Sequence, residues 1–76
     1  MKIKYDRQVD VLRITLKEAM ITESDEETPG MILDFDQNGN VVGIEILQAS
    51  QHIDNPEAIE YSISPSVLAS SKHVPD

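Results

Sequence analysis

Asp34, Asp36, Asn38 and Glu45 stand at the spacing of an oxygen-ligand loop. The stretch Asp34-Phe35-Asp36-Gln37-Asn38-Gly39, followed after five further residues by Glu45, satisfies the pattern D-x-[DN]-x-[DN]-G-x5-E in full. Carboxylate and amide oxygens at that spacing are what a calcium ion requires, and the glycine permits the sharp turn. The flanks point elsewhere. A calcium loop of this kind lies between two amphipathic helices, whereas residues on both sides here alternate apolar and polar with period two and are rich in Val and Ile. The expectation is therefore a β-hairpin loop whose Asp, Asn and Gly do turn chemistry, with calcium or ligand binding by Asp34, Asp36, Asn38 and Glu45 as the alternative.

Other chemistry has less material. The chain has two histidines, His52 and His73, and no cysteine, so it has no thiol nucleophile, no disulfide and no Cys-based zinc site. Ser50, His52 and Asp54 are close in sequence, but a catalytic triad is a spatial arrangement rather than a spacing, and a polar connection between elements explains them equally well. His52 with Asp54 and Glu57 is a thin metal set. Asp34 and Asp36 could do acid-base work only if a pocket raised one pKa, and an exposed strand face gives ordinary solvated charges instead. No Gly-rich phosphate loop occurs. The expectation is a protein that is not an enzyme and needs no cofactor.

Charge says more about partners. The formal charge is −8 and it is unevenly placed: residues 1–17 hold five of the six basic residues against Asp6 and Asp10, a local +3, leaving −11 over residues 18–76. So acidic a chain repels phosphate backbones, which excludes nucleic acid as the expected partner. The densest run, Glu23-Ser24-Asp25-Glu26-Glu27, has no periodicity and ends in a Pro-Gly turn signal, which reads as a solvated edge or loop. Glu23, Asp25, Glu26 and Glu27 are accordingly the candidate residues for binding a basic protein partner. The first eight residues are charged with no apolar stretch behind them, and no apolar run exceeds three residues, so neither a secretory leader nor a membrane span is expected and the location expected is cytoplasmic.

The elements that would position these residues follow from alternation. Ile3 and Tyr5 share one face of a short strand, and Leu12, Ile14 and Leu16 share one face of a second. Pairing Ile3 with Ile14 and Tyr5 with Leu12 joins the two apolar faces and leaves a loop over Arg7 to Asp10. A short third strand is expected around Met20 to Glu23. Met31, Leu33 and Phe35 then face Ile46, Ile44 and Val42 across an Asn38-Gly39 two-residue turn. A slip of one residue would bury Asp34 and Asp36, so turn and pattern select the same register. Gly43 inside the last strand implies a bulge or the close approach of another backbone. Beyond Leu47 the period changes, and Asp54-Asn55-Pro56-Glu57 carries the signals of a helix start, giving a short helix over about 56–62 and a possible further turn over 66–69.

Tyr5-Asp6, then Val9-Asp10-Val11-Leu12 with Ile14 and Leu16, then Gly30, Ile32, Asp34, Asp36 and Gly39, then Val41-Val42-Gly43-Ile44-Glu45-Ile46-Leu47 followed by Ala49-Ser50 form a recognisable series. Over residues 1–50 it resembles the small bacterial proteins of domain-of-unknown-function family 2283, with Val42 to Leu47 the most specific block. Arg13 departs from the family pattern, which tends to have an aromatic there. The resemblance implies a compact β-rich domain with a short helix and no established activity. Some members are encoded beside small toxin-like proteins, which implies an antitoxin-like role as an acidic partner.

The reading as a whole is a mainly β (α+β) domain over residues 1–63, an antiparallel meander of four to five strands with one short C-terminal helix, followed by a tail over 64–76 that is partly helical or frayed. Ile3, Tyr5, Leu12, Ile14, Leu16, Met31, Leu33, Phe35, Val42, Ile44 and Ile46 form the expected core. That core is thin for 76 residues without a disulfide. A homodimer, by sheet extension or sheet stacking, is the expected remedy.

Overall fold

The computed structural model describes residues 1–65. It contains β1 (Lys2–Asp6), β2 (Val11–Thr15), β3 (Glu23–Thr28), β4 (Met31–Phe35), β5 (Val41–Leu47) and one turn of helix, α1 (Ala49–His52). All neighbouring strands are antiparallel, in the order β1-β2-β5-β4-β3. The order departs from an unbroken meander at one place. The segment after β2 crosses to the far edge, and β3, β4 and β5 then fold back inward, so that the last strand closes against β2 in the centre. The most apolar strand, Val-Val-Gly-Ile-Glu-Ile-Leu, thereby sits in the middle, while the two charged strands take the edges, where unpaired backbone is best guarded by charge.

The first hairpin has the expected register, with Ile3 opposite Ile14 and Tyr5 opposite Leu12 around a loop of Arg7 to Asp10. The second keeps Met31 opposite Ile46 and Leu33 opposite Ile44, but Phe35 lies opposite Val41 and not Val42. The cause is the turn. Gly39 alone takes a left-handed backbone there (φ 83°), the Gly39 N–H reaches the Asp36 carbonyl at 3.0 Å, and the Asp36 N–H reaches the Asn40 carbonyl at 2.9 Å. This is a three-residue loop over Gln37 to Gly39 rather than the two-residue turn that Asn-Gly suggests. The extra residue reappears as a bulge near Val42, whose carbonyl takes the N–H groups of both Leu16 and Lys17.

Two other expectations need correction. The third strand runs over Glu23–Thr28, through the acidic run itself and not around Met20 to Glu23. Pro29-Gly30, with Gly30 at φ 84°, turns the chain back, so the acidic residues are laid against the strongest apolar strand signal in the sequence and take its geometry. The helix lies at Ala49–His52, not over 56–62. Asn55 does begin a turn: its side chain accepts the Glu57 N–H at 3.0 Å and its carbonyl the Ala58 N–H at 3.1 Å. One turn is an unfavourable nucleus, and Ile59, Tyr61 and Ile63 then alternate with period two, so nothing propagates it. The expected helical turn over 66–69 lies outside the described residues.

The core is smaller than the apolar pattern implies. Leu12, Ile46 and Ala49 form a buried cluster against which Tyr5, Ile14, Met31, Ile44 and Ile53 are half-buried, and Val42 is buried separately. Ile3 and Leu16 are exposed. Each fully buried aliphatic side chain contributes about 1.5–3 kcal/mol, so four buried apolar residues make a modest store. A single sheet has two faces, and a helix of four residues, tied to the β1–β2 loop through Asp10, covers only part of one of them.

Candidate functional site

The face of the sheet opposite that helix is organised around Gly43. In the centre of β5 this residue stands opposite Asp34 of β4 and Thr15 of β2, while Arg13 of β2 stands opposite Glu45. The Arg13 side chain lies across β5 over Gly43 and reaches Asp34, Nη1 to Oδ2 at 2.8 Å, with Glu45 Oε1 at 3.7 Å from the same nitrogen. A β-carbon on Gly43 would stand 2.8 Å from Arg13 Nη2 and 3.0 Å from Asp34 Oδ2. The close approach that an interior glycine signals is therefore a guanidinium rather than a second backbone, with the bulge lying beside it.

Asp34 is buried, with 5 % of its surface exposed, which corrects the expectation of a solvated charge. Its second oxygen accepts the Ser24 hydroxyl of β3 at 2.5 Å. The Ser24 hydrogen bond and the Arg13 guanidinium hold its carboxyl below the usual carboxylate range, against the opposing effect of burial. Four strands are thus tied by one chain of polar contacts, Arg13 to Glu45 and Asp34, and Asp34 to Ser24. Asp36 has a different task. Its Oδ1 accepts the N–H groups of Asn38 and Asn40, each at 2.9 Å, which lowers its pKa and closes the hairpin loop.

The four residues of the calcium pattern are therefore dispersed. Asp34 and Glu45 share Arg13, Asp36 ties the turn, and Asn38 is exposed at its tip. Among the described residues no group of three or more His, Asp or Glu side chains is placed to hold a metal ion.

A second polar knot joins the first hairpin to α1. Asp10, in a left-handed conformation (φ 58°), accepts the Tyr5 hydroxyl at 2.7 Å, the Ser50 N–H at 2.9 Å and the Ser50 hydroxyl at 2.7 Å, and its carbonyl accepts the Ala49 N–H. Ser50, then Tyr5, keep the Asp10 carboxyl low, and the bond to Asp10 pushes the Tyr5 phenol up to about 12. A carboxylate so well supplied with donors is a poor base, and the Ser50 hydroxyl is bound to it rather than to His52. His52 instead closes on the backbone at Gly30, its Nε2 lying 3.2 Å from where a Gly30 β-carbon would stand. The three residues Ser50, His52 and Asp54 thus make no catalytic array. Arg7 and Glu57 form a two-pronged pair at 2.8 Å that fastens the turn after α1 to the first hairpin.

The remaining candidates are Glu23, Asp25, Glu26 and Glu27, all exposed on β3 at the sheet edge. Glu26 accepts the Gly30 N–H at 2.9 Å. Sequence reasoning located this run but missed Arg13, Asp10 and Tyr5 as members of polar knots. The usable signal for Arg13 was present: Gly43 marked a space on the inner strand, and the residue diagonal to it across the ladder was a long cation.

Comparison with known proteins bears on the same stretch. Residues 2–50 match the family described as "Protein of unknown function (DUF2283)". This chain belongs to the DUF2283 family. A curated relative is the uncharacterized protein MJ0789 of Methanocaldococcus jannaschii, 44 % identical over 50 residues, which are 66 % of this chain and 42 % of that protein. The chain thus spans less than half the length of that relative. No solved structure matches the chain. The DUF2283 match runs from β1 into α1 and takes in both polar knots. No described helix is long and apolar enough to cross a membrane.

Proposed function

We propose that this DUF2283 protein is a non-enzymatic interaction module that takes a basic, extended protein segment along β3. The observation that carries the reading is the edge position of a strand whose six residues are all exposed and which bears Glu23, Asp25, Glu26 and Glu27. The outward backbone of an edge strand offers a ladder of donors and acceptors to an added strand, and the carboxylates select a cation-rich one. Beside the chain's own hairpins such a partner would stand as a sixth strand. The antitoxin-like role and the cytoplasmic location belong to this same reading.

The test uses a synthetic extended peptide with alternating lysine and valine, titrated by calorimetry at low and at physiological salt. Binding is expected to weaken about tenfold or more between the two, and to be lost when Glu23, Asp25, Glu26 and Glu27 are together changed to glutamine. Binding that ignores both salt and the fourfold change overturns the reading.

A further inference from the structure

The segment after the Asn55 turn runs beside an unpaired edge. β1 is the outermost strand on its side of the sheet, so one side of its backbone has no partner strand. Arg7, next after β1, holds Glu57 through two hydrogen bonds of 2.8 Å and so fixes the later chain to the end of that strand. From Glu57 the chain returns toward the start of β1, where Ile59, Glu60 and Tyr61 line a hollow of about 540 Å³ together with Met1 and Ile3. Among the described residues no backbone hydrogen bond crosses it. Ile59, Tyr61 and Ile63 alternate with Glu60 and Ser62, the pattern of a strand with one apolar face, yet they are 61 %, 73 % and 78 % exposed.

We infer that residues 59–63 are a strap that closes on β1 of the same chain as an added antiparallel strand. Counted from the Arg7 and Glu57 pair, an antiparallel register sets Tyr5 opposite Ile59, Lys4 opposite Glu60, Ile3 opposite Tyr61, Lys2 opposite Ser62 and Met1 opposite Ile63. The register matches apolar with apolar and charge with opposite charge. Ile3 and Tyr5 share a face with Ile14 and Leu12, the side on which Ala49 of α1 packs, so Ile59, Tyr61 and Ile63 would widen the thin apolar face. On the other face Glu60 meets Lys4, a favourable cross-strand pair. A slip of one residue would set Glu60 among the apolar side chains and turn the isoleucines toward Lys2 and Lys4. Tethering selects the occupant. A segment held close to its own edge is present there at about millimolar effective concentration, far above a second copy in micromolar solution. Closure guards the β1 edge and leaves β3 as the open one. The inference does not rest on the acidic-edge reading, and either can fail alone.

Amide hydrogen exchange of the intact chain, resolved by residue in NMR spectra, tests the closure. Alternate N–H groups over residues 59–63 should exchange at least about tenfold more slowly than in an unfolded chain. Unfolded-chain rates throughout 59–63 overturn the inference. Register is tested with cysteine pairs, since the chain has no cysteine of its own. Ile3→Cys with Tyr61→Cys, and Lys4→Cys with Glu60→Cys, occupy opposed positions, and at least one of these pairs should close to a disulfide within one protomer on mild oxidation at micromolar concentration. Lys4→Cys with Tyr61→Cys puts the thiols on opposite faces and should stay reduced. Failure of both opposed pairs in folded variants sinks the inference, and so does closure of all three pairs alike, which would mean a segment without register. Disulfides that join two chains would assign the segment to a second copy and overturn it as well.

Discussion

Asp34 is held by what surrounds it, and its neighbours can be removed singly. With Arg13 replaced by methionine, the stem still packs over Gly43 but the carboxylate keeps only Ser24. An enclosed ion pair that loses one partner costs about 3–5 kcal/mol, but the Arg13 side chain is 33 % exposed, and screening reduces the expected loss to about 2 kcal/mol at neutral pH. The pH dependence has a definite sign. A carboxyl whose folded pKa is depressed contributes fully above its unfolded value, about 3.9, and loses that contribution as pH falls through the folded value. Urea melts of wild type and Arg13→Met should therefore differ most near pH 7 and converge well below pH 4. A gap that does not change with pH would mean that Arg13 acts by packing alone. Tyr5 runs the other way. Its phenol is raised to about 12, so the contribution is complete below the unfolded value near 10 and disappears as pH rises through about 12. In a tyrosinate absorbance titration, Tyr5→Phe should remove a step at about pH 12. Removal of a step near pH 10 would show that the bond to Asp10 does not persist in solution.

The β4–β5 hairpin shows how far sequence reading reaches at the scale of an element. Its register through Leu33 and Ile44 was legible because period-two alternation allows only one face inward. Its loop was not, because Asn38-Gly39 serves both a two-residue turn and a three-residue loop, and Asp36 decides between them by accepting two backbone N–H groups. The acidic β3 was illegible as a strand for a related reason: its order comes from pairing with β4 rather than from any propensity of its own. The helix signal at Asp54 to Glu57 was real chemistry, an Asn55 side chain on the Glu57 N–H, attached to a sequence that could not extend it. The same hairpin decides the fate of the calcium pattern. Asp34 is committed to Arg13 and Ser24, and Asp36 to its own loop, so binding a cation would require breaking both. Millimolar calcium should leave the melting temperature unchanged, in wild type and in Asp34→Ala alike. A rise in wild type that is absent from Asp34→Ala would show that the loop opens to coordinate the ion.

Over the whole molecule, attraction is local and repulsion is general. Among the described residues the ion pairs are Lys2 with Glu18, Arg7 with Glu57, and Arg13 with Asp34 and Glu45; two of these connections lie on the open surface, where such pairs contribute little. Against them stands a net charge of −8, concentrated where β3 sets Glu23, Asp25, Glu26 and Glu27 along one edge. Salt screens exposed charges and leaves the buried pair at Asp34 largely untouched, so it relieves more repulsion than it removes attraction. At a fixed protein concentration, raising sodium chloride from about 20 mM to about 300 mM should lift the melting temperature by roughly 5 °C, the shift that about 1 kcal/mol gives a domain of this size. Changing the four β3 acids to glutamine halves the net charge, and should raise the melting point at low salt while flattening its salt dependence. A melting point that falls with salt would put the surface pairs, not the acidic edge, in control of stability. The edge would then be free of the electrostatic cost on which the proposed basic partner depends.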